Sequence, residues 1–352
     1  MRNDDVRIGL VIPLQGSTGI FGPSCEAVAA TALREINRTG LLGRQVSLEI
    51  VDGGGPVQDV AERVGALLDA RRIDALTGWH TSAAREALAP VTAGRVPYAY
   101  TSLYEGGEQR PGVFCTGETP EHQVGPALRW LRDELGLRRW YIVGDDYVWP
   151  RVSACATRRF AHELDLDLVG ATYVPLGTQD FSAALDAVAA SGADGVLLYL
   201  VGQDAVQFHR MFADRGLEDR LLRYTPLMEE NMLLASGCGA TDNLFVSASY
   251  FRSLATASAL ELCDAYVADH GADAPPLNNM AESCYEGLLL LRALAERAGS
   301  LEVPAMVRAT EGFGYDGPRG AVALTHHRAV QPIHLATTDG FDFEVIDTLR
   351  PG

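Results

Sequence analysis

The apolar stretch VRIGLVIP, residues 6–13, precedes a helical stretch near 23–39 and a second apolar run, VSLEIVD, at 46–52. The helical stretch after that run repeats apolar residues on one face: Val57, Val60, Ala61, Val64, Leu67 and Leu68. Apolar run and helical stretch alternate again through IDALTGW (73–79) and VPYAYTS (96–102). This alternation predicts right-handed βαβ units around a parallel sheet, and therefore an α/β fold.

A second α/β unit of similar size follows the first. It starts with the amphipathic stretch EHQVGPALRWLRDEL (121–135) and continues through the predicted strands RWYIVGDD (139–146), LVGATYVPLG (168–177) and GVLLYLVG (195–202). The chain ends in a β-rich tail, residues 320–349, that reads as two or three strands with a turn at TTDG. We therefore predict two lobes, which also fits a chain of 352 residues with 47% hydrophobic content.

The composition excludes several classes of protein. A formal net charge of -17 argues against direct binding of nucleic acid. The six cysteines are scattered without CxxC or metal-ligand spacing, so we expect small buried hydrophobes and no metal or disulfide framework. The most apolar helical stretch, YEGLLLLRALAERAG, carries charged residues, so the protein is not expected to be membrane-embedded. No secretory signal is visible, which favours a cytoplasmic protein; the alternative is an extracytoplasmic one whose leader has been removed.

Ligands of open parallel sheets bind beyond the carboxyl ends of the strands, and two facing sheets would form a cleft between the lobes. Hydroxyl and aromatic side chains dominate these strand ends, and a lysine is absent from them. The candidate ligand-binding residues are Ser17, Thr18, His80, Ser82, Tyr100, Ser102, Tyr104, Tyr147, Trp149, Gly202, Gln203 and Glu230. Such a set predicts a small, neutral, polar ligand.

Several candidates have a structural alternative. Ser82 could act only as a helix cap, and Glu230 could only complement a helix dipole. Tyr147 and Trp149, in GDDYVWPR (144–151), could form a core pair instead of a pocket wall. The chain carries no GxSxG, HExxH or phosphate-loop motif, so we predict no catalytic residue, no metal and no cofactor, and no enzyme. The adjacent acids Asp145 and Asp146 could be a general acid–base couple, but an N-cap and a strand-end turn are favoured.

The opening stretch GLVIPLQGSTGIFGPSCEAVAATALREINRTGLLGRQVSLEIVDGGG resembles type I periplasmic-binding proteins of the branched-chain amino acid, amide and urea group. The segments GWHTSAAREAL, YTSLYEGGE, GDDYVWPRVS and YFRS are similar to the amide-sensing negative regulator of bacterial amidase operons and to amide and urea transport receptors. The resemblance implies two Rossmann-like lobes with parallel sheets, joined by three crossovers and closing on ligand by a hinge. The lobes would comprise residues 1–118 plus 248–325 and residues 119–247 plus 326–352.

The resemblance also implies roles for individual residues. Ser82 matches the hydroxyl that holds the ligand's polar head, Tyr147 matches an aromatic that closes over the ligand, and Glu230 aligns with an acid that pairs with a ligand ammonium in amino-acid receptors. His80 and Trp149 replace tyrosines of the amide regulator, which leaves the ligand open.

Three hypotheses follow from the residues and the resemblance. The first is a cytoplasmic sensor of short-chain amides or urea that acts on a regulator protein. The second is the extracytoplasmic substrate-binding receptor of an ABC importer, which would meet an ABC permease and take amides, urea or branched-chain amino acids. The third, an enzyme acting on small amides, lacks an activated nucleophile. Homodimerisation is implied by the resemblance alone.

Overall fold

The computed structural model describes residues 5–325 and 328–350. From the amino end, the strands and helices are β1 (Val6–Ile12), α1 (Gly22–Asn37), β2 (Val46–Asp52), α2 (Val57–Asp69), β3 (Ala75–Thr77), α3 (Ser82–Thr92), β4 (Tyr98–Tyr100), β5 (Val113–Cys115), α4 (Val124–Leu135), β6 (Arg139–Asp145), α5 (Val148–Glu163), β7 (Asp167–Val174) and α6 (Ser182–Ala190). The chain continues through β8 (Gly195–Tyr199), α7 (Gln203–Asp214), β9 (Leu222–Thr225), α8 (Glu230–Ser236), β10 (Leu244–Ala248), α9 (Ala257–His270), α10 (Asn279–Ala298), α11 (Val303–Ala309), β11 (Phe313–Gly317), β12 (Gly320–Thr325), β13 (Arg328–Val330), β14 (Ile333–Asp339) and β15 (Asp342–Leu349).

These elements form two compact units. Unit 1 comprises residues 1–103, 107–118 and 255–331, and unit 2 comprises residues 104–106, 119–254 and 332–352. Each unit has its own central sheet and its own buried apolar core.

Unit 1 is built on a five-stranded sheet with the order β2-β1-β3-β4-β5, in which every neighbouring pair is parallel. Parallel pairing requires a crossover between strands; α1, α2 and α3 form the first three crossovers, and a loop joins β4 to β5. Because the strands are parallel, their carboxyl ends lie along one edge of the sheet. The α/β fold with parallel sheets that the sequence predicted is therefore confirmed in this unit. A small antiparallel sheet, β11-β12-β13, also belongs to unit 1.

Unit 2 is built on a seven-stranded sheet with the order β15-β14-β10-β9-β8-β6-β7. The five strands from β10 to β7 pair in parallel, whereas β14 and β15 add an antiparallel hairpin at one side. Asp339 pairs with Asp342 at the end of that hairpin, so the turn predicted at TTDG is confirmed. The β-rich tail is nevertheless divided, because β12 and β13 join the small sheet of unit 1.

Amphipathic spacing explains how the helices attach to the sheets. In α2, Val60, Val64, Leu67 and Leu68 of the stripe that the sequence predicts are buried, whereas Val57 and Ala61 are half-buried. The longer α10 is buried over most of its surface, begins after an Asn278 side chain that caps the Ala281 N–H at 2.8 Å, and ends at a left-handed glycine. Among the helices within residues 5–325 and 328–350, none is long and apolar enough to cross a membrane.

The cysteines only partly follow the sequence expectation. No disulfide joins any of the six, and Cys25, Cys115 and Cys284 are buried as small apolar side chains. Cys155 and Cys238 are exposed, so the prediction of burial is wrong for them. Both lie outside the sheets, where a small side chain need not reach a core.

Candidate functional site

The carboxyl end of β3 is shaped by a glycine. Gly78 has a φ of +127°, and a Cβ atom added to it would lie 2.2 Å from the carbonyl oxygen of Val11 in β1. No other residue tolerates both this backbone conformation and this close approach. The glycine therefore lets the β3–α3 loop pass directly across β1 and delivers His80 and Ser82 to the strand-end edge of unit 1.

Ser82 and Ser102 carry buried hydroxyls without a hydrogen-bond partner among the described residues, as does Thr77 at the end of β3. Ser82 is the first residue of α3, and Ser102 lies two residues after β4. Their exposed fractions are 2% and 1%, and neither hydroxyl has a hydrogen-bond partner among the described residues. The capping role belongs to Thr81, whose hydroxyl accepts from the Ala84 N–H at 3.4 Å. Both serines are therefore available as hydrogen-bond donors, and Ser82 lies at the N-terminus of α3.

His80 and Tyr100, by contrast, are satisfied within unit 1. Burial lowers the pKa of His80 to about 4, so its imidazole is neutral at neutral pH. Its Nδ1 lies 3.1 Å from the Val11 carbonyl oxygen, which can only accept, so Nδ1 carries the proton and Nε2 accepts from the Tyr98 hydroxyl. The Tyr100 hydroxyl donates to the His80 carbonyl oxygen at 2.9 Å. The structure thus gives both side chains a role in shaping this edge.

The remaining candidates near unit 1 differ in burial. Thr18 is buried and Ser17 is half-buried, and both lie in the loop before the short 3-10 helix Gly19–Phe21 that leads into α1. Tyr104 is buried and belongs to the short segment that groups with unit 2.

A buried ion pair supports the helix that begins at Ser82. Arg85 of α3 pairs with Glu108 in the loop after β4, and both side chains are almost fully buried. Burial alone would raise the pKa of Glu108, but hydrogen bonds from Arg110 and the charges of Arg85 and Arg110 outweigh it and lower that pKa. The positive charge of Arg85 is therefore compensated. The groups that the strand-end edge of unit 1 presents to a ligand are therefore uncharged hydroxyls.

In unit 2, Tyr147 and Trp149 have different surroundings although they are two residues apart. Trp149 is buried, and its ring meets that of Tyr199 edge to face at 5.5 Å between centroids. Tyr147 is half-buried at the N-cap position of α5, 6.3 Å from the Trp149 ring. The N-cap expected from Asp145 and Asp146 is wrong, because Tyr147 occupies that position and Asp146 instead accepts from Arg151 at 2.8 Å.

Two acids are buried together at the strand-end edge of unit 2. Asp145, the last residue of β6, accepts from the Val201 N–H at 2.9 Å, and Asp204 of α7 accepts from the Gly177 N–H at 2.7 Å. Burial and the neighbouring Asp204 carboxylate raise the pKa of Asp145 well above its ordinary range. The protonated form of Asp145 is therefore favoured, because a second carboxylate beside it disfavours its negative charge. Gly202 and Gln203, at the start of α7, are buried and exposed respectively.

Glu230 is the first residue of α8 and is also buried. Its Oε1 accepts from the Arg252 backbone N–H at 2.8 Å. Burial raises the pKa of Glu230 to about 7, and this hydrogen bond only partly offsets the effect. A donor or a cation that reached this carboxyl would favour its ionised form.

Sequence reasoning missed the partners of these groups. Asp204 was not singled out because an acid in the first turn of a helix usually just complements the dipole. Arg85 was not singled out because its partner lies 23 residues further along the chain, in a loop without periodicity. Within the described residues, no group of three or more histidine, cysteine, aspartate or glutamate side chains could hold a metal ion.

Comparison with known proteins gives one consistent picture. The family model described as periplasmic binding protein matches residues 5–342. The chain is 25% identical over 332 residues to the Leu/Ile/Val-binding protein homolog 6 of Brucella melitensis, covering 91% of this chain and 84% of that protein.

Solved structures of solute-binding proteins share the fold. A branched-chain amino acid transporter substrate-binding protein from Streptococcus pneumoniae, in complex with isoleucine, has a TM-score of 0.86 at 18% identity, covering 99% of this chain and 100% of that chain. A solute-binding protein of an ABC transporter from R. palustris, in complex with benzoate, has a TM-score of 0.86 at 19% identity, covering 99% and 97%. At these identities the likeness concerns the fold alone.

Proposed function

This chain belongs to the periplasmic binding protein family, whose model spans residues 5–342, and we propose that it is the substrate-binding receptor of an ABC importer for a small carboxylate. This follows the second hypothesis from the sequence. The relatives named above favour it over the cytoplasmic amide or urea sensor, and the family favours an extracytoplasmic location. The proposed role is binding without chemistry, with an ABC permease as the protein partner.

The pair of buried serine hydroxyls carries the proposal. A buried hydroxyl without a partner costs about 1–3 kcal/mol, so two of them at one sheet edge are expected to be satisfied by a ligand. Ser82 and Ser102 can each donate one hydrogen bond. Ser82 also begins an 11-residue helix, whose N-terminal dipole favours negative charge. Two donors and a helix N-terminus suit a carboxylate, which accepts at both oxygens, better than a neutral group.

Unit 2 supplies a second preference. Burial keeps the Glu230 carboxyl protonated up to about neutral pH, and an ammonium group or a hydroxyl donor would stabilise its ionised form. An ammonium group, as in a branched-chain amino acid, is the kind of group that the Glu230 carboxyl would stabilise. A hydroxylated aromatic acid carries a carboxylate and a hydroxyl, so we retain it as the second ligand class.

A thermal-shift and calorimetric panel tests the proposal. It should include leucine, isoleucine, benzoate and 4-hydroxybenzoate, with acetamide and urea as the neutral alternatives. We expect at least one carboxylate to raise the melting temperature, because a ligand that binds only the folded state stabilises it. A protein stabilised only by acetamide or urea, or by none of the six, would overturn the proposal.

Serine variants connect binding to the site. Ser82→Ala and Ser102→Ala should each weaken carboxylate binding about 10-fold or more, since a hydrogen bond to a charged group contributes about 1.5–3 kcal/mol. Ser24→Ala is the matched control: Ser24 is buried in unit 1, but its hydroxyl donates to the Phe21 carbonyl at 3.0 Å. It should lower the melting temperature and leave the affinity unchanged.

A further inference from the structure

Arg319 is a buried arginine of unit 1 that the proposed ligand contacts do not use. It lies in the turn between β11 and β12, with an exposed fraction of 2%. Its guanidinium is fully engaged: Nε donates to the Glu282 carboxylate, Nη2 donates to the Ser283 hydroxyl at 2.6 Å, and Nη1 donates to the Thr101 carbonyl oxygen at 2.9 Å. A rigid fork of donors therefore joins α10 to the segment after β4.

The charge of this arginine is held in place by three buried acids. Glu282 contacts Arg319 directly, Glu118 lies 3.9 Å from Nη1, and Glu286 lies one turn further along α10. Burial raises the pKa of both Glu282 and Glu286, and the charge of Arg319 only partly offsets this. Glu282 contacts the guanidinium, so moving either group away would leave a buried charge without its partner.

The Thr101 carbonyl oxygen that Arg319 contacts lies one peptide bond from Ser102 of the candidate site. The Thr101 carbonyl belongs to the peptide group that also contains the Ser102 nitrogen, so holding that carbonyl restrains the position of the Ser102 Cα, from which the side chain extends. The Thr101 hydroxyl also donates to the Ser283 carbonyl oxygen. Gly117 packs so closely on the following peptide that a Cβ added there would lie 1.7 Å from the Ser102 carbonyl oxygen. The Ser102 backbone is thus held from two sides, and its hydroxyl is left without a partner in the described chain.

We propose that Arg319 is a positioning residue for ligand binding, which aims the Ser102 hydroxyl by holding the Thr101 carbonyl. The proposal rests on the function proposed above, because it assigns Ser102 to the ligand. Arg319 itself does not touch the ligand. Substitution of Arg319 should therefore weaken binding only while Ser102 is present.

A double-mutant cycle with Arg319→Lys and Ser102→Ala tests this coupling. Lysine keeps the charge but cannot hold Glu282, Ser283 and Thr101 together. Affinities for isoleucine and for 4-hydroxybenzoate should be measured by calorimetry. We expect a loss of about 10-fold from Ser102→Ala, about 5-fold from Arg319→Lys, and no further loss in the double variant compared with Ser102→Ala. Losses that multiply to about 50-fold, or a Ser102→Ala protein that binds normally, would overturn the positioning role while the receptor function stands.

A control and a milder variant guard against a purely structural effect. Arg223→Lys replaces a buried arginine of unit 2 that donates to His209 and to the Ala240 carbonyl, and it should lower stability without changing affinity. Ser283→Ala removes one partner of Arg319 without removing any charge, so it should fold even where Arg319→Lys does not. Ser283→Ala should weaken ligand binding about 3-fold, and it should cause no further loss in the Ser102→Ala protein. A loss of about 3-fold in both backgrounds would overturn the proposal.

A ligand-free measurement separates this proposal from the receptor function. Amide hydrogen exchange of the segment 101–103 should become at least 10-fold faster in Arg319→Lys and stay unchanged in Arg223→Lys. Unchanged exchange would contradict the positioning role whatever the ligand is. Faster exchange in a protein that binds neither test compound would support the positioning of Ser102 and contradict only the proposed ligand class.

Discussion

The strand-end edge of unit 1 presents hydroxyls, whereas that of unit 2 presents carboxyls. Ser82 and Ser102 of unit 1 are buried, neutral donors without partners in the described part of the chain. Asp145, Asp204 and Glu230 of unit 2 are buried acids that accept from backbone N–H groups. Both edges are built in the same way, from the carboxyl ends of parallel strands and the first turns of helices.

This difference shows that the fold sets the place of the side chains but not their chemistry. Unit 1 offers donors and a helix N-terminus, an environment that suits an anion. Unit 2 offers Asp145 and Glu230, whose pKa values are raised by burial, an environment that suits a donor or a cation. A carboxylate would suit the first environment, and an ammonium or hydroxyl group would suit the second. The predictions below test each side of this comparison.

The largest effect is expected from placing a negative charge in unit 1. Ser82→Asp should weaken binding of isoleucine and of 4-hydroxybenzoate by about 1000-fold, because like charges brought together cost several kcal/mol. Isothermal titration calorimetry measures the loss. Ser82→Asn is the neutral control, because asparagine has nearly the shape of aspartate but no charge. Its affinity for both ligands should fall only about 10-fold. Equal losses from both variants would show that the serine does not face an anion.

The two aromatic residues of unit 2 should separate stability from binding. Trp149→Ala should lower the free energy of unfolding by about 3–4 kcal/mol, since Trp149 is buried against Tyr199. Tyr147→Ala should cost less than about 1.5 kcal/mol, since Tyr147 is half-buried, but should weaken ligand binding about 10-fold. Chemical denaturation and calorimetry measure the two quantities. A Tyr147 variant that loses stability as much as the Trp149 variant would make Tyr147 part of the core.

The raised pKa of Glu230 should appear in the pH dependence of ligand-free stability. An acid whose pKa is about 7 in the folded protein and about 4.5 when unfolded stabilises the fold below pH 4.5, and this contribution is lost as the pH rises through 7. The loss is on the order of 3 kcal/mol. Glu230→Gln should remove this part of the pH dependence in urea denaturation from pH 5 to 8.

Glu134→Gln, at an exposed site of the same unit, provides the control for that titration. It should follow the wild-type profile throughout the range. A Glu230→Gln protein with the wild-type profile would show that Glu230 titrates normally, and the preference of unit 2 for a cation would then lose its support.

The smallest effect should distinguish the two ligand classes. Glu230→Gln should weaken isoleucine binding about 10-fold, because the ammonium loses a charged partner, and should change 4-hydroxybenzoate binding less than about 2-fold. Calorimetry at pH 7.5 with both ligands measures the difference. Equal changes for the two ligands would show that Glu230 complements the dipole of helix α8 and does not contact the ligand.

The sequence predicted the alternation of strands and helices because apolar periodicity is local, and it thereby identified which residues follow each strand. It could not establish that Trp149 is buried, since the ring that packs on Trp149 belongs to Tyr199, which is distant in the chain. Pairings such as Arg319 with Thr101, 218 residues apart, leave no local pattern. The ligand class was the feature hardest to predict from the sequence, because residues distant in the chain determine whether a hydroxyl has a hydrogen-bond partner.

The most direct test of the account compares acids with their own amides. Isoleucine and isoleucinamide, and 4-hydroxybenzoate and 4-hydroxybenzamide, differ at the carboxylate and are otherwise matched. Calorimetry on the wild-type protein should show that within the pair that binds, the acid binds at least 100-fold more tightly, and that this preference falls about 10-fold in Ser82→Ala and in Ser102→Ala. An amide that binds as tightly as its acid would contradict the claim that unit 1 recognises a carboxylate.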